Sequence, residues 1–170
     1  SEVMRKRIER FGSDGFAYKS YPARFWDIFG ENGCPVRTTV SEMGPVLLSR
    51  LLGLTEAQTG VLSIIFRVAD DQGLLLLDMK DLRSMAAHVG RHAKEYVTSY
   101  GNVSVQSVGA IQRRLLELED QGAEKFFGEP ALDIRDWIQT EGGRGVINIL
   151  NCVKLIQSPI LYSTFLLWMM

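Results

Sequence analysis

Val146-Ile147-Asn148-Ile149-Leu150, introduced by the run Gly142-Gly143-Arg144-Gly145, reads as the best strand in the chain. Val146, Ile147 and Ile149 are β-branched, and such side chains fit a pleated, half-buried surface. The glycine run reads as a tight turn, because a phosphate loop follows a strand and this run precedes one. A lone strand is not stable, so a partner is required. Ala23-Arg24-Phe25-Trp26-Asp27-Ile28-Phe29, extended after Pro22, supplies it, and Gly30-Glu31-Asn32-Gly33 then turns the chain. The two segments predict parallel strands of one α/β sheet, with everything between them inserted.

The insertion reads as helices from Thr38 to Thr140. Ser41 is the expected first cap, ahead of Met43, Leu47, Leu51 and Leu54, with Pro45 in the first turn. Thr55 and Gln58 have capping-box spacing. The helix behind them has a broad apolar face, Val61, Leu62, Ile64, Ile65, Phe66, Val68 and Ala69, expected to be buried on more than one side. Leu74–Leu77 reads either as a short strand or as a connector that plugs the core; leucine is not β-branched and helices flank it, which favours the connector. Asp78 and Asp81 repeat the capping spacing before Leu82, Met85, Ala86 and Val89, with Gly90 as the stop. A short helix over Ala93–Tyr100 follows. Ser104 then caps a long helix carrying Val105, Val108, Ile111, Leu115 and Leu118 on one face, and Asp133 and Asp136 cap a short one near Trp137. Outside the block, Ser1–Phe11 is an amphipathic helix (Val3, Met4, Ile8, Phe11) stopped by Gly12. Asn151 is a start candidate for the apolar segment that ends at Met170. The expected fold is mainly α, a helical bundle inserted between elements of an incomplete α/β core. The divisions are residues 1–37, 38–140 and 141–170.

Formal net charge is -1, from 19 basic and 20 acidic side chains. That balance gives no bulk electrostatic case for nucleic acid, although it allows a local basic patch. Cys34 and Cys152 have no metal-ligand spacing and read as free thiols of a reducing, cytoplasmic setting. His88 and His92 lie one helical turn apart with nothing to complete a metal site, so they read as a surface face. Residues 160–170 are about half the length a bilayer span needs, which argues against a membrane. Both chain ends are abrupt and suggest cuts through a longer protein, with self-association expected through Val146–Met170.

Motifs for chemistry are sparse. No Gly-x-x-x-x-Gly-Lys-Ser/Thr run and no Gly-x-Ser-x-Gly run occurs. Asp70-Asp71 reads as a solvated helix end. Asp27 lies in the first strand, and carboxylates at strand ends of α/β proteins often face active-site crevices; the alternative is a turn-forming hydrogen bond. Arg113 and Arg114, adjacent on a long helix, suit a phosphate or a neighbouring subunit, or else a solvated surface.

Several strings are distinctive: PVRTTVSEMGP (Pro35–Pro45), LSRLLGLT (Leu48–Thr55), FRVADDQGLLLLD (Phe66–Asp78), YGNVSVQSVGAIQR (Tyr100–Arg113), KFFGEPAL (Lys125–Leu132) and GVINIL (Gly145–Leu150). Together they resemble a bacterial family of HerA-like ATPases in the FtsK–HerA branch of P-loop motors. The resemblance covers essentially the whole chain. It implies a RecA-like core with a helical insertion between the phosphate loop and the acidic strand, and it places this chain in that interval. ATP and magnesium then belong to the parent protein, whose phosphate-loop lysine and threonine and Asp-Glu strand match nothing here. The implied assembly is a hexameric homo-oligomer acting on DNA. Within it Arg37, Arg113 and Arg114 are the candidate subunit or DNA contacts, Asp27 the candidate crevice residue, and the chain itself is non-catalytic. Arg24 departs from the uniformly apolar first strand this implies, which predicts a frayed or remodelled strand. The alternative reading is a self-contained helical protein–protein interaction module.

Overall fold

The structure is a computed structural model that describes residues 1–12 and 19–170. It is mainly helical with a small sheet. β1 (Ala23–Asp27) and β5 (Ile147–Leu150) pair in parallel, from Ala23 opposite Ile147 to Trp26 opposite Leu150. The two outer strands thus meet as expected, and the helices lie between them in sequence. Arg24 does not fray the pair. It stays in register opposite Asn148, and its guanidinium leans out toward the Asp136 carbonyl.

The sheet has a third strand that the sequence reading did not contain. β2 (Cys34–Pro35) lies parallel to β1 on its other edge, giving the order β2-β1-β5. Asp27 explains it. Its carboxylate accepts the backbone N–H groups of Phe29, Glu31 and Asn32 at 3.0–3.2 Å, curling the chain back beside its own strand. Gly33 permits the close return, because a Cβ there would lie 2.6 Å from the Phe25 carbonyl oxygen.

α2 (Val40–Leu51) starts two residues earlier than Ser41 would set it, with Thr39 as cap. Thr39 Oγ1 accepts from the Glu42 amide and Glu42 Oε2 accepts from the Thr39 amide, which satisfies two orphan donors. Ser41 instead accepts the Leu76 amide at 2.9 Å and fixes the leucine connector against α2. Pro45 lies in a first turn, but that of a second helical segment within α2. It follows Gly44, whose φ of 72° breaks the helix in two. Proline has no N–H to give and pushes the residue before it out of the α region.

α3 (Glu56–Asp71) packs on α2, on α4 (Met79–Arg91) and on α6 (Val105–Asp120), which accounts for its broad apolar face. The helix expected to stop at Gly90 ends one residue later, at Arg91, and Gly90 is not its cap. It lies inside α4, where a Cβ would come within 3.2 Å of Val108, so it lets α4 and α6 approach closely. α5 (Ala93–Tyr100) follows directly. On α6 the buried stripe is Val108, Ile111, Leu115 and Leu118; Val105, one residue into the helix, is 72% exposed. α7 (Ala123–Phe126) leads into a loop held to residue 38, with Thr38 N–H bonded to the Phe126 carbonyl and Gly128 N–H to the Thr38 carbonyl.

The glycine run closes an antiparallel hairpin between β3 (Thr140–Glu141) and β4 (Arg144–Gly145). Gly142 and Gly143 both have positive φ, the signature of a tight two-residue hairpin turn. After β5, Asn151 makes a local turn to the Val153 amide, and the last helix, α8 (Pro159–Met169), begins only at Pro159. Its buried side, Leu161, Thr164 and Phe165, faces the core near α2, with Phe126, Phe165 and Trp168 in edge contact. Among the described residues no helix is long and apolar enough to cross a membrane.

Candidate functional site

α6 is a regular helix because Ser104 caps its start and its apolar residues recur every three or four positions on the side facing α3 and α4. That burial forces Arg113 and Arg114 outward. They line a surface cleft of about 360 Å³ with Gly53, Thr55, Gln58, Ala110 and Glu117. Thr55 and Gln58 belong to the first turn of α3. Their capping box satisfies two backbone donors, and the helix end still presents the positive pole of its dipole. Arg114 pairs with Glu117 at 2.8 Å, both about half exposed. Arg113 has no carboxylate in ion-pair range among the described residues, and its guanidinium lies along bare Gly109. Two arginines beside a helix N-terminus, offset by one carboxylate, suit an anionic group such as a carboxylate or phosphate. The sequence reading found the arginines. It missed Thr55 and Gln58 as their neighbours, since only tertiary packing sets that junction against α6.

Arg37 stands elsewhere and shares no lining residue with this cleft. Its Nη1 donates to the Glu129 carbonyl at 2.8 Å, its own carbonyl accepts the Leu132 amide, and its buried Nε has no partner among the described residues. It braces the loop after α7. Asp27 is buried with its carboxylate oxygens on three backbone amides. Burial, with the Asp27 carboxylate adding to it, pushes the Cys152 thiol upward and disfavours its thiolate.

His88 and His92 are stacked with ring centres 4.4 Å apart. His88 Nε2 is 3.1 Å from the Tyr96 hydroxyl, which also accepts from Gln72. Next to them Tyr100 donates to Asp71 at 2.8 Å, and that bond raises the Tyr100 pKa. These residues join α3, α4 and α5. Among the described residues no group of three or more His, Cys, Asp or Glu side chains could hold a metal.

Fold and surface together define a mainly helical domain whose helices are inserted between paired parallel strands. The chain belongs to the family described as Helicase HerA-like C-terminal, whose model it matches over residues 1–170. No curated protein and no solved structure matches it.

Proposed function

We propose that this chain is the helical insertion and part of the core of a longer HerA-like P-loop ATPase that acts on DNA. In this reading it does not turn over nucleotide itself. ATP and magnesium bind elsewhere in the parent, which assembles as a ring in the cytoplasm. The α6 face contacts the next subunit or the DNA backbone, with Arg113 and Arg114 meeting the anionic group, while Arg37, away from that cleft, holds the loop after α7 in shape. The observation that carries this reading is the juxtaposition of Arg113 and Arg114 with the N-terminus of α3 at the cleft, in a chain of this family. The glycine run is committed to a hairpin turn, and Asp27 to three backbone amides. Neither residue set fits a nucleotide or magnesium site.

The test is the Arg113→Ala/Arg114→Ala double variant of the complete parent protein. Its subunit assembly is followed by sedimentation and its DNA affinity by titration at several salt concentrations. Loss of assembly, or weaker DNA binding with a shallower salt slope, supports the contact role. Unchanged assembly together with unchanged DNA binding contradicts it.

A further inference from the structure

The cleft that holds Arg113 and Arg114 does not end at its polar side. Gly53, Arg114 and Glu117 also line a neighbouring pocket of about 150 Å³, whose remaining walls are Leu51, Leu52, Leu118 and Ile160. One continuous depression therefore offers two arginines at one end and an apolar recess at the other, with the Glu117 carboxylate between them. A DNA backbone suits it poorly. Its phosphates have nothing to place in the recess, and a phosphate moving from Arg113 toward Arg114 meets the like charge of Glu117. The chemistry fits a protein segment that carries a carboxylate close to a large aliphatic side chain.

This chain displays such a segment. Ile134 is 61% exposed and Ile138 77%, four residues apart on the turn before the hairpin. Asp133 there is clasped by Arg135, whereas Asp136 and Glu141, both exposed, have no ion pair among the described residues. The neighbouring arginines reach carbonyl groups instead, Arg24 that of Asp136 and Arg144 that of Ser20. The turn is also held in shape from beneath. Asp133 caps it, Gln139 Nε2 donates to the Arg135 carbonyl at 2.8 Å, and Trp137 packs against Trp26. A turn fixed in this way loses little freedom on binding. Other exposed apolar segments lack the pairing. α1 (Glu2–Phe11) sets Arg5, Lys6, Arg7 and Arg10 against Glu2 and Glu9, so the two arginines of the cleft repel it. α8 carries no charged residue. Leu74 and Leu75 follow Asp70 and Asp71, but Asp71 is taken up by Arg67 and Tyr100.

We propose that the Ile134–Ile138 turn of a second copy of this chain docks in the depression, with Asp136 against Arg113 and Ile138 in the apolar recess. Turn and depression share no residue, so the contact is head-to-tail. Each subunit gives its turn to one neighbour and its cleft to the other, the arrangement that closes into a ring. This docking names the partner of the α6 face and rests on the contact role proposed for it.

The test uses the complete parent protein in three forms, Arg113→Asp, Asp136→Arg and the two combined, with circular dichroism to show that each folds. Sedimentation over a concentration series follows assembly. Each single reversal sets like charges face to face and should weaken assembly about tenfold or more. The combined variant restores an opposite pair and should recover most of that loss. Ile138→Asp, at an already exposed position, should weaken assembly as well. A combined variant no better than either single one, or unchanged assembly in Asp136→Arg, overturns the docking. In that case weaker assembly in Arg113→Asp alone keeps the α6 face as a subunit contact with another segment in the cleft. Weaker DNA binding with intact assembly assigns the face to DNA and also overturns the docking. Loss of neither assembly nor DNA binding contradicts both the docking and the contact role.

Discussion

Trp26 Nε1 donates to Asn148 Oδ1 at 2.8 Å, across 122 residues of intervening chain. Asn148 in turn donates from Nδ2 to the Trp137 carbonyl at 2.8 Å. One amide side chain therefore ties β1, β5 and the loop before the hairpin together on the covered face of the sheet. Asn148→Leu removes both bonds and leaves the Trp26 ring N–H and the Trp137 carbonyl without their partners. An unsatisfied buried polar group costs about 1–3 kcal/mol. The expected loss in unfolding free energy is about 2 kcal/mol, measured by urea denaturation followed on tryptophan fluorescence. A loss below about 0.5 kcal/mol, the level of an ordinary surface substitution, would show that the strands are held by backbone pairing alone.

Two neighbouring hydroxyls should separate by role. Thr39→Ala removes the α2 cap and should cost about 1 kcal/mol. Ser41→Ala leaves α2 capped but strips the acceptor from the Leu76 amide, freeing the leucine connector. Hydrogen exchange distinguishes them: the Leu76 amide should exchange much faster in Ser41→Ala than in Thr39→Ala. Equal rates would mean that the neighbouring backbone bonds to Leu76 and Leu77 suffice to hold the connector.

Asp133 caps the short turn Ile134–Asp136 and is clasped by the Arg135 guanidinium. The Arg135 side-chain bonds, then its backbone amide, hold the Asp133 pKa at about 2, below the ordinary 3.8. The folded-state value is the depressed one. The capped turn is therefore favoured above the ordinary carboxylate range, and that advantage is lost as pH falls from about 3.8 through about 2. Carboxyl NMR titration should place the Asp133 midpoint near 2 and return it toward the ordinary range in Arg135→Ala. An unshifted midpoint in the unmodified protein would contradict the clasp.

Much of this architecture could be read from residue order, because it rests on local rules. The capping spacings at Thr55 and Asp78, the periodic faces of α3 and α6, and the β-branched run of β5 each carry their own signal. The parallel pairing of β1 with β5 followed from the need of two lone strands for partners. Other features depend on distant contacts. Gly90 has the composition of a helix stop, yet it is set by Val108 on another helix. Ser41 has the composition of a cap, yet its hydroxyl serves Leu76, 35 residues away. β2 is two residues long with no strand propensity, and only the Asp27 carboxylate reveals why it forms. At the candidate surface the arginine pair was legible, whereas the helix end it meets was not.

The most direct test of the central claim is ATP hydrolysis by the complete parent protein, with and without duplex DNA, with this chain alone run in parallel. The account predicts turnover in the parent that rises at least tenfold with DNA, none above background in the isolated chain, and at least a tenfold loss in the Arg113→Ala/Arg114→Ala parent. Turnover by the isolated chain, or a parent whose turnover is indifferent both to DNA and to the two arginines, would contradict it.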